Sequence, residues 1–350
     1  MILKDKGWGK LVLTVSNRRP IIRQEVKICC RKIREMKKKI IIDCDVGIDD
    51  ALALILAFHS PELEVLAVTG VSGNVSIVKV MKNIEKVLFL LKPPHQPFVA
   101  RGAGRPLQGD FIHAESFHGE DGLGGVKIQP IEGEAWAKAF SGSAEELILE
   151  MVSQNPGEIT LIAIGPLTNL ALALQKNREG MKQLKEIVIM GGAVREKGNV
   201  TPYAEFNFFL DPLAAKMVLE SRIPIILVPL DVTHRVPLTP EVMESRIKPI
   251  QKVFSQFAVE STGYDFKLKQ FRGRKKAFYL HDPLAVGVVI NPGLVIKERL
   301  PVLVETTEGE HYGQIREIPA GQALRDQKVD VCLGVDAEKF LGLFLSRLEG

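Results

Sequence analysis

Ile40-Ile-Ile-Asp43-Cys-Asp45-Val-Gly47-Ile-Asp49-Asp50 sets four carboxylates within eight residues at the end of an apolar run. At an effective dielectric near 20, two carboxylates about 5 Å apart repel by about 3 kcal/mol. Converging acids must therefore protonate, splay into water or share a cation, and the flanking segments decide where they sit. Lys39 to Ile42 is β-branched and reads as a buried strand, whereas Ala51 to Phe58 is too apolar for a surface helix. The acids thus occupy a strand-to-helix turn. Strand alternation points Asp43 and Asp45 the same way. Gly47 is expected to let the chain turn tightly, and Asp49 and Asp50 fall near a helix N-terminus, where negative charge is favoured. In an open α/β sheet, ligands bind at this carboxyl end of the strands. From these residues alone, a capping turn with solvated acids is the bland alternative.

Outward from the turn, short apolar runs alternate with helical patterns. Residues 40–42, 65–69, 98–100, 159–164, 186–190 and 224–228 read as strands, and 50–59, 75–91, 143–153, 167–177 and 212–221 as helices. This alternation implies right-handed βαβ crossovers and an α/β fold with an open, mainly parallel, Rossmann-like sheet flanked by helices. Glycine-rich loops interrupt it at 101–125 and 191–200. Beyond Asp231 the spacing predicts helices at 240–247, 250–270 and 282–290, strands near 300–305 and 328–333, and a closing helix at 336–347. No linker or repeat divides residues 36–350, which are expected to form a single domain.

The net charge of +4 over 350 residues misleads. Residues 1–35 hold ten of the 46 Lys and Arg and three of the 42 acids, so the remainder carries 36 basic against 39 acidic residues, or −3. That mildly acidic body lacks the basic face that nucleic-acid binding needs. The extension before Met36 has no clean period, and we expect it to stand outside the natural protein; a transit peptide is the competing reading. No apolar run approaches a membrane span. Cys29, Cys30, Cys44 and Cys332 have neither zinc-type nor disulfide-rich spacing, which fits a reducing cytoplasm.

Three further segments carry polar residues that a packed core would not choose: Ile164-Gly-Pro-Leu-Thr-Asn169, Asn199-Val-Thr-Pro-Tyr-Ala-Glu205-Phe206-Asn207, and His281-Asp282-Pro283. Singly each has an ordinary explanation, Asn199 as a turn former, Glu205 as a surface charge, Asp282 as a helix cap. Together with the Asp turn, Asn74 of Val-Ser-Gly-Asn, His118-Gly-Glu-Asp-Gly and Met190-Gly-Gly, they closely resemble, in order from about residue 38 to the C-terminus, the inosine-uridine type nucleoside hydrolases.

The resemblance implies the fold of that family and calcium-dependent hydrolysis of ribonucleosides to nucleobase and ribose, in nucleoside salvage. It implies a calcium ion held by Asp45, Asp50, Asp282 and the main-chain carbonyl of Ile164. These are the hard oxygen donors calcium prefers, and no Cys or His pair suits zinc. Asp45 would be the general base for the attacking water. Asp49, Asn74, Asn199, Glu205 and Asn207 would hold ribose hydroxyls, with Phe206 beneath the sugar. His281 would protonate the leaving base, because imidazole titrates near neutral pH, and His118 would approach the nucleobase. Asp43 would support the site without touching the ion, and Cys44 would face the other way as a buried apolar residue. Histidines 59, 95, 113, 234 and 311 have no motif context and are expected to be structural or superficial. Tyr264, Phe271 and Tyr279 are available for stacking on the base. Family members are generally dimers or tetramers, so a homodimer or homotetramer is expected.

Two rivals stand beside this reading. In a haloacid-dehalogenase-like phosphatase Asp43 would be the nucleophile and Asp45 the acid, with magnesium, but Asp49, Asp50 and the distant motifs would have no task. A nucleoside or ribose sensor would keep the pocket without turnover.

Overall fold

The opening strand β1, Lys38–Cys44, is fully buried from Ile40 onward, so it reads as a continuous apolar run and not as an alternation. The computed structural model describes residues 37–110, 112–271, 277–318 and 328–349. Lys37–Gly350 form one compact unit; the basic extension expected over residues 1–35 lies outside the described residues.

Strands β2 (Leu63–Gly70), β3 (Phe98–Arg101), β4 (Lys138–Ser143), β5 (Ile159–Ala163), β6 (Glu186–Met190) and β7 (Ile225–Val228) follow in the chain. Later come β8 (Pro237–Leu238) and β9 (Phe278–Tyr279), which pair with each other, then β10 (Val295–Val304), β11 (Ile315–Glu317) and β12 (Lys328–Val335). Ten strands form one sheet in the order β11-β10-β12-β7-β6-β5-β1-β2-β3-β4. It is parallel from β12 to β4, with β10 and β11 antiparallel at one edge. From β1 the order runs one way through β4, then resumes at β5 on the other side of β1. That reversal is a topological switch point, and the crevice beyond the carboxyl ends of β1 and β5 is where such a sheet binds ligands.

Helices cover both faces of the sheet and divide the core in two. Ile40 and Ile42 point into one cluster with the helices Ile48–Phe58 and His281–Ile290, and Ile41 into the other with Ala144–Gln154 and Thr168–Met181. Ile48 to Ala57 are all buried, and this helix packs against His281–Ile290, itself buried from Asp282 onward. Two apolar helices thereby bring the turn after β1 and the distant His281-Asp282 into one place.

The structure adds elements that the sequence pattern concealed. Strand β4 is an edge strand whose Lys-Ala-Phe-Ser-Gly-Ser is only partly covered, so it lacks the apolar run that marks its neighbours. The helix expected over 167–177 extends to Met181 across a break at Asn177 (φ −156°, ψ 85°). The one expected over 240–247 is a single turn, Pro240–Val242, continuing as the π-helical Met243–Ile247.

Leu52, fully buried between sheet and helices, tests this packing. Leu52→Ala is expected to lower unfolding free energy by about 2–5 kcal/mol, read from urea denaturation. A loss well under 1 kcal/mol would mean that the helix is not packed as described.

Candidate functional site

The turn after β1 is held by hydrogen bonds that each carboxylate receives from neighbouring segments. Asp43 accepts from the Thr69 hydroxyl and from Asn169 Nδ2 at 2.7 Å. Asp45 Oδ2 accepts the Asn74 main-chain N–H at 2.6 Å. Asp50 takes three donors, the main-chain N–H groups of Asp45 (3.1 Å) and Gly47 (2.8 Å) and Asn74 Nδ2 (3.1 Å), and so caps the helix Ile48–Phe58 from within its first turn. Gly47 is needed for a reason other than the expected one. Its φ of −93° suits any residue, but a Cβ there would lie 2.7 Å from His118 Nδ1 and 2.8 Å from Asn74 Nδ2. Gly73 is more constrained still, for its Cβ would meet Asp45 Oδ2 at 2.1 Å.

Asp282, brought in by its helix, completes the cluster: ligand oxygens of Asp49, Asp50 and Asp282 lie within 4.8 Å of one another. All are buried, as are Asp43 and Asp45. Burial pushes Asp43 up to about 7 and Asp49 and Asp50 up to about 6, and raises Asp45 and Asp282 well above the usual carboxylate range. Mutual repulsion adds to burial at Asp45, Asp50 and Asp282. Among the described residues, Asp45 Oδ1 and Asp49 Oδ1 are buried without a hydrogen-bond partner. The oxygens of Asp49, Asp50 and Asp282 gathered within 4.8 Å, with Asp49 Oδ1 unpartnered, suit a hard cation. The compact group contains Asp49, which the resemblance assigns to the sugar, while Asp45 lies against Asp50. The Ile164 carbonyl faces the same cavity and accepts Asn207 Nδ2 at 3.1 Å.

Above this floor opens a cavity of about 590 Å³. Asp49, Asn74, His118, Ile164, Asn199, Glu205, Phe206, Asn207, His281 and Asp282 all line it, so the segments singled out in the sequence do converge. Asp45 and Asp50 lie beneath, fully buried. Glu205 accepts main-chain N–H groups from Gly192, Asn207 and Phe208, capping the helix Phe206–Leu210. Asn207 spends its Nδ2 on the carbonyls of Ile164 and Met190 (3.1 and 3.3 Å), so what it presents to a ligand is the acceptor Oδ1. Asn199 Oδ1 accepts the Phe206 N–H at 2.9 Å. His118 Nδ1 accepts the Ile48 N–H at 3.1 Å, so a neutral ring carries its proton on Nε2.

His281 Nδ1 shares a 2.7 Å hydrogen bond with Thr233 Oγ1. Burial, with His234 beside it, holds His281 down to about 3, so the near-neutral titration assumed from its residue type does not apply in this setting. Two histidines dismissed in the sequence belong to the cavity wall. His113 lines it beside Ile112 and Phe117 on the glycine-rich loop, and His234 lies 5.7 Å, centroid to centroid, from His281. Tyr279 lines it too, whereas Tyr264 does not and packs against Gly124; the Phe271 side chain lies outside the described residues.

Further residues support the site, of which only Asn169 lies in a segment singled out in the sequence. Asn169 bridges Asp43, the Gly70 carbonyl and the Ala103 N–H. Asn83 ties the Val46 carbonyl to that of Asp121, and Asp231 accepts the Val194 and Arg195 N–H groups to hold the loop after β6.

Comparison with known proteins identifies the family to which this chain is similar. The family model for inosine-uridine preferring nucleoside hydrolases matches residues 40–342. The chain is 37% identical over 320 residues to an inosine-uridine preferring nucleoside hydrolase of Crithidia fasciculata, covering 90% of this chain and 98% of that protein. It is 38% identical over 319 residues to the pyrimidine-specific ribonucleoside hydrolase RihA of Salmonella gallinarum, covering 90% and 99%. Among solved structures, a purine-preferring ribonucleoside hydrolase from Gardnerella vaginalis superposes with a TM-score of 0.81 at 31% identity, covering 89% of this chain and 98% of that one.

The raised carboxyls set a direction for stability. Between about pH 4 and 7 the folded chain keeps protons at Asp43, Asp49 and Asp50 that the unfolded chain has lost, so stability falls as pH rises through that window. In chelator, Tm is expected to drop from pH 5 to pH 7.5, and calcium to raise Tm more at pH 7.5 than at pH 5. A cation effect independent of pH in scanning calorimetry would contradict the cluster as described.

Proposed function

The chain belongs to the inosine-uridine preferring nucleoside hydrolases, and on that premise we propose that it hydrolyses the N-glycosidic bond of ribonucleosides with calcium bound, releasing nucleobase and ribose in nucleoside salvage. The observation that carries this is the convergence of Asp49, Asp50 and Asp282 at the floor of the cavity whose walls hold the sugar-binding candidates. Asp45, Asp50, Asp282 and the Ile164 carbonyl would hold the ion, with Asp49 within reach. When bound, calcium neutralises the acids, orients water and sugar hydroxyls, and makes water more acidic.

The residues divide the remaining work. Asp45 takes a proton from the attacking water; its Oδ2 is fixed by Asn74 and its Oδ1 is the oxygen left for a proton. Such positioned transfer is typically worth 10² to 10⁴ in rate. As the C1′–N bond opens, the ribose gains oxocarbenium character, and the negative and dipolar groups around it, Asp49, Glu205 and the amide oxygen of Asn207, stabilise that charge. Asn74 and Asn199 hold hydroxyls, and Phe206 lies beneath the sugar. His118 and His281 face the base with one ring nitrogen each engaged, leaving Nε2 to meet it.

The phosphatase rival loses its nucleophile, because Asp43 is bound by Thr69 and Asn169 and does not line the cavity. The proposal takes residues 36–350 as the hydrolase domain and places the protein in the cytoplasm as a homodimer or homotetramer. Support comes from the family and from the buried free thiols of Cys44 and Cys332. Among the described residues no helix is long and apolar enough to cross a membrane.

Asp45→Ala is expected to lower turnover of inosine or uridine by at least about 10³-fold with an unchanged circular dichroism spectrum; appreciable activity in that variant would remove Asp45 as the base. Asn207→Ala is expected to weaken binding of a ribosyl inhibitor by about 10- to 100-fold, and equal affinity would remove Asn207 from the sugar site. Inosine, uridine, cytidine and adenosine assayed side by side, with and without chelator, give the base preference and the metal requirement together.

A further inference from the structure

The helix Val253–Phe271 presents two residues one turn apart, Asp265 and Lys269, to the cavity. Lys269 Nζ stands 2.7 Å from Asp265 Oδ2 and donates to the Ala277 carbonyl. Asp265 is 2% exposed and the lysine side chain 19%. Of the described residues that line the cavity, Lys269 alone is a lysine or arginine. A buried ion pair is weak evidence of a stabilising role, since desolvating both charges offsets their attraction, and one set in the wall of a ligand cavity calls for a chemical task. An ammonium has three donors. Ala277 takes one, and Asp265 pairs with the charge without a hydrogen bond at Oδ2, so a donor remains for a ligand. Lys269 Nζ lies 6.0 Å from the centroid of the Tyr279 ring, whose neighbours are His234 at 5.0 Å and His281 at 5.7 Å, centroid to centroid. These flat rings suit a planar base, and the ammonium stands over the Tyr279 ring.

We propose that Lys269, oriented by Asp265, activates the leaving nucleobase by donating a hydrogen bond to a carbonyl oxygen of that base. The inference rests on the hydrolase reading above. In the reaction the C1′–N bond breaks and its electron pair passes to the base. Water supplies the oxygen of the new C1′–O bond, and its two protons end on the anomeric hydroxyl and on the freed base. Where the base carries a carbonyl conjugated with the departing nitrogen, as hypoxanthine does, part of the developing negative charge resides on that oxygen. A fixed ammonium there binds the departing anion more tightly than the neutral bound base, and that difference lowers the barrier. Adenine, with an amino group in that place, gains nothing from it. Asp265 is a positioning residue: it holds the ammonium and balances its charge.

The test compares inosine, adenosine and p-nitrophenyl riboside, whose leaving group needs neither base recognition nor activation. Lys269→Met is expected to lower kcat/KM for inosine by about 10²-fold, the size of a lost preorganised donor, with a far smaller loss on p-nitrophenyl riboside. The ratio of inosine to adenosine kcat/KM should fall accordingly, and Lys269→Arg should recover most of the inosine rate. Asp265→Asn, which keeps the side-chain shape, should lower the ratio of inosine to p-nitrophenyl riboside activity in the same direction, so the inference stays testable if the methionine variant does not fold. Equal losses on both substrates in a folded variant, or an inosine rate unmoved by Lys269→Met, would overturn it while leaving the hydrolase reading intact. A wild-type enzyme inert towards nucleosides and p-nitrophenyl riboside alike would overturn both.

Discussion

Carboxylates that cannot all be charged side by side in a buried place govern this molecule. Asp49, Asp50 and Asp282 come from opposite ends of the chain and meet within 4.8 Å, and Asp43 and Asp45 are buried beside them. Their desolvation and mutual repulsion are opposed by apolar packing, because the helices Ile48–Phe58 and His281–Ile290 are buried along nearly their whole length and pack against each other. The sheet contributes the site's place. At the reversal between β1 and β5 the carboxyl ends of two strands open onto one crevice, and the Asp turn and the Ile164 carbonyl sit at its two sides.

Around that centre, several side chains are fixed by hydrogen bonds from neighbouring segments. Asn169 holds Asp43, the Asn74 main chain holds Asp45, Thr233 holds His281, and Asp231 holds the loop on which Asn199 is mounted. Pairs of this kind keep a site within the tolerance that chemistry needs. They also explain the glycines: Gly47 and Gly73 leave room for His118, Asn74 and Asp45 to approach the main chain closely.

Fold and site were legible in the sequence to different depths. Central strands such as β1, β5 and β6 are buried on both faces and appear as unbroken apolar runs, so their residues announce them. Edge strand β4 is half in solvent and its composition is that of a loop. In the site, carboxylates crowded into one turn were visible because charge is conspicuous beside an apolar run. The contributions of His113 and His234 were not, since nothing local distinguishes a histidine that lines a cavity from one on the surface. The need for Gly47 was legible but not its reason, because the constraint comes from side chains distant in sequence, His118 and Asn74. The low proton affinity of His281 was equally hidden, because it arises from burial and from His234, which only the folded chain supplies.

The account stands or falls on whether these carboxylates share one ion. Calorimetric titration of the metal-stripped protein with calcium, wild type against Asp282→Asn, addresses that directly. The account predicts one calcium per chain for the wild type and loss of most of that binding in the variant. Wild-type protein that takes up no calcium, or an Asp282→Asn variant that binds it undiminished, would contradict it.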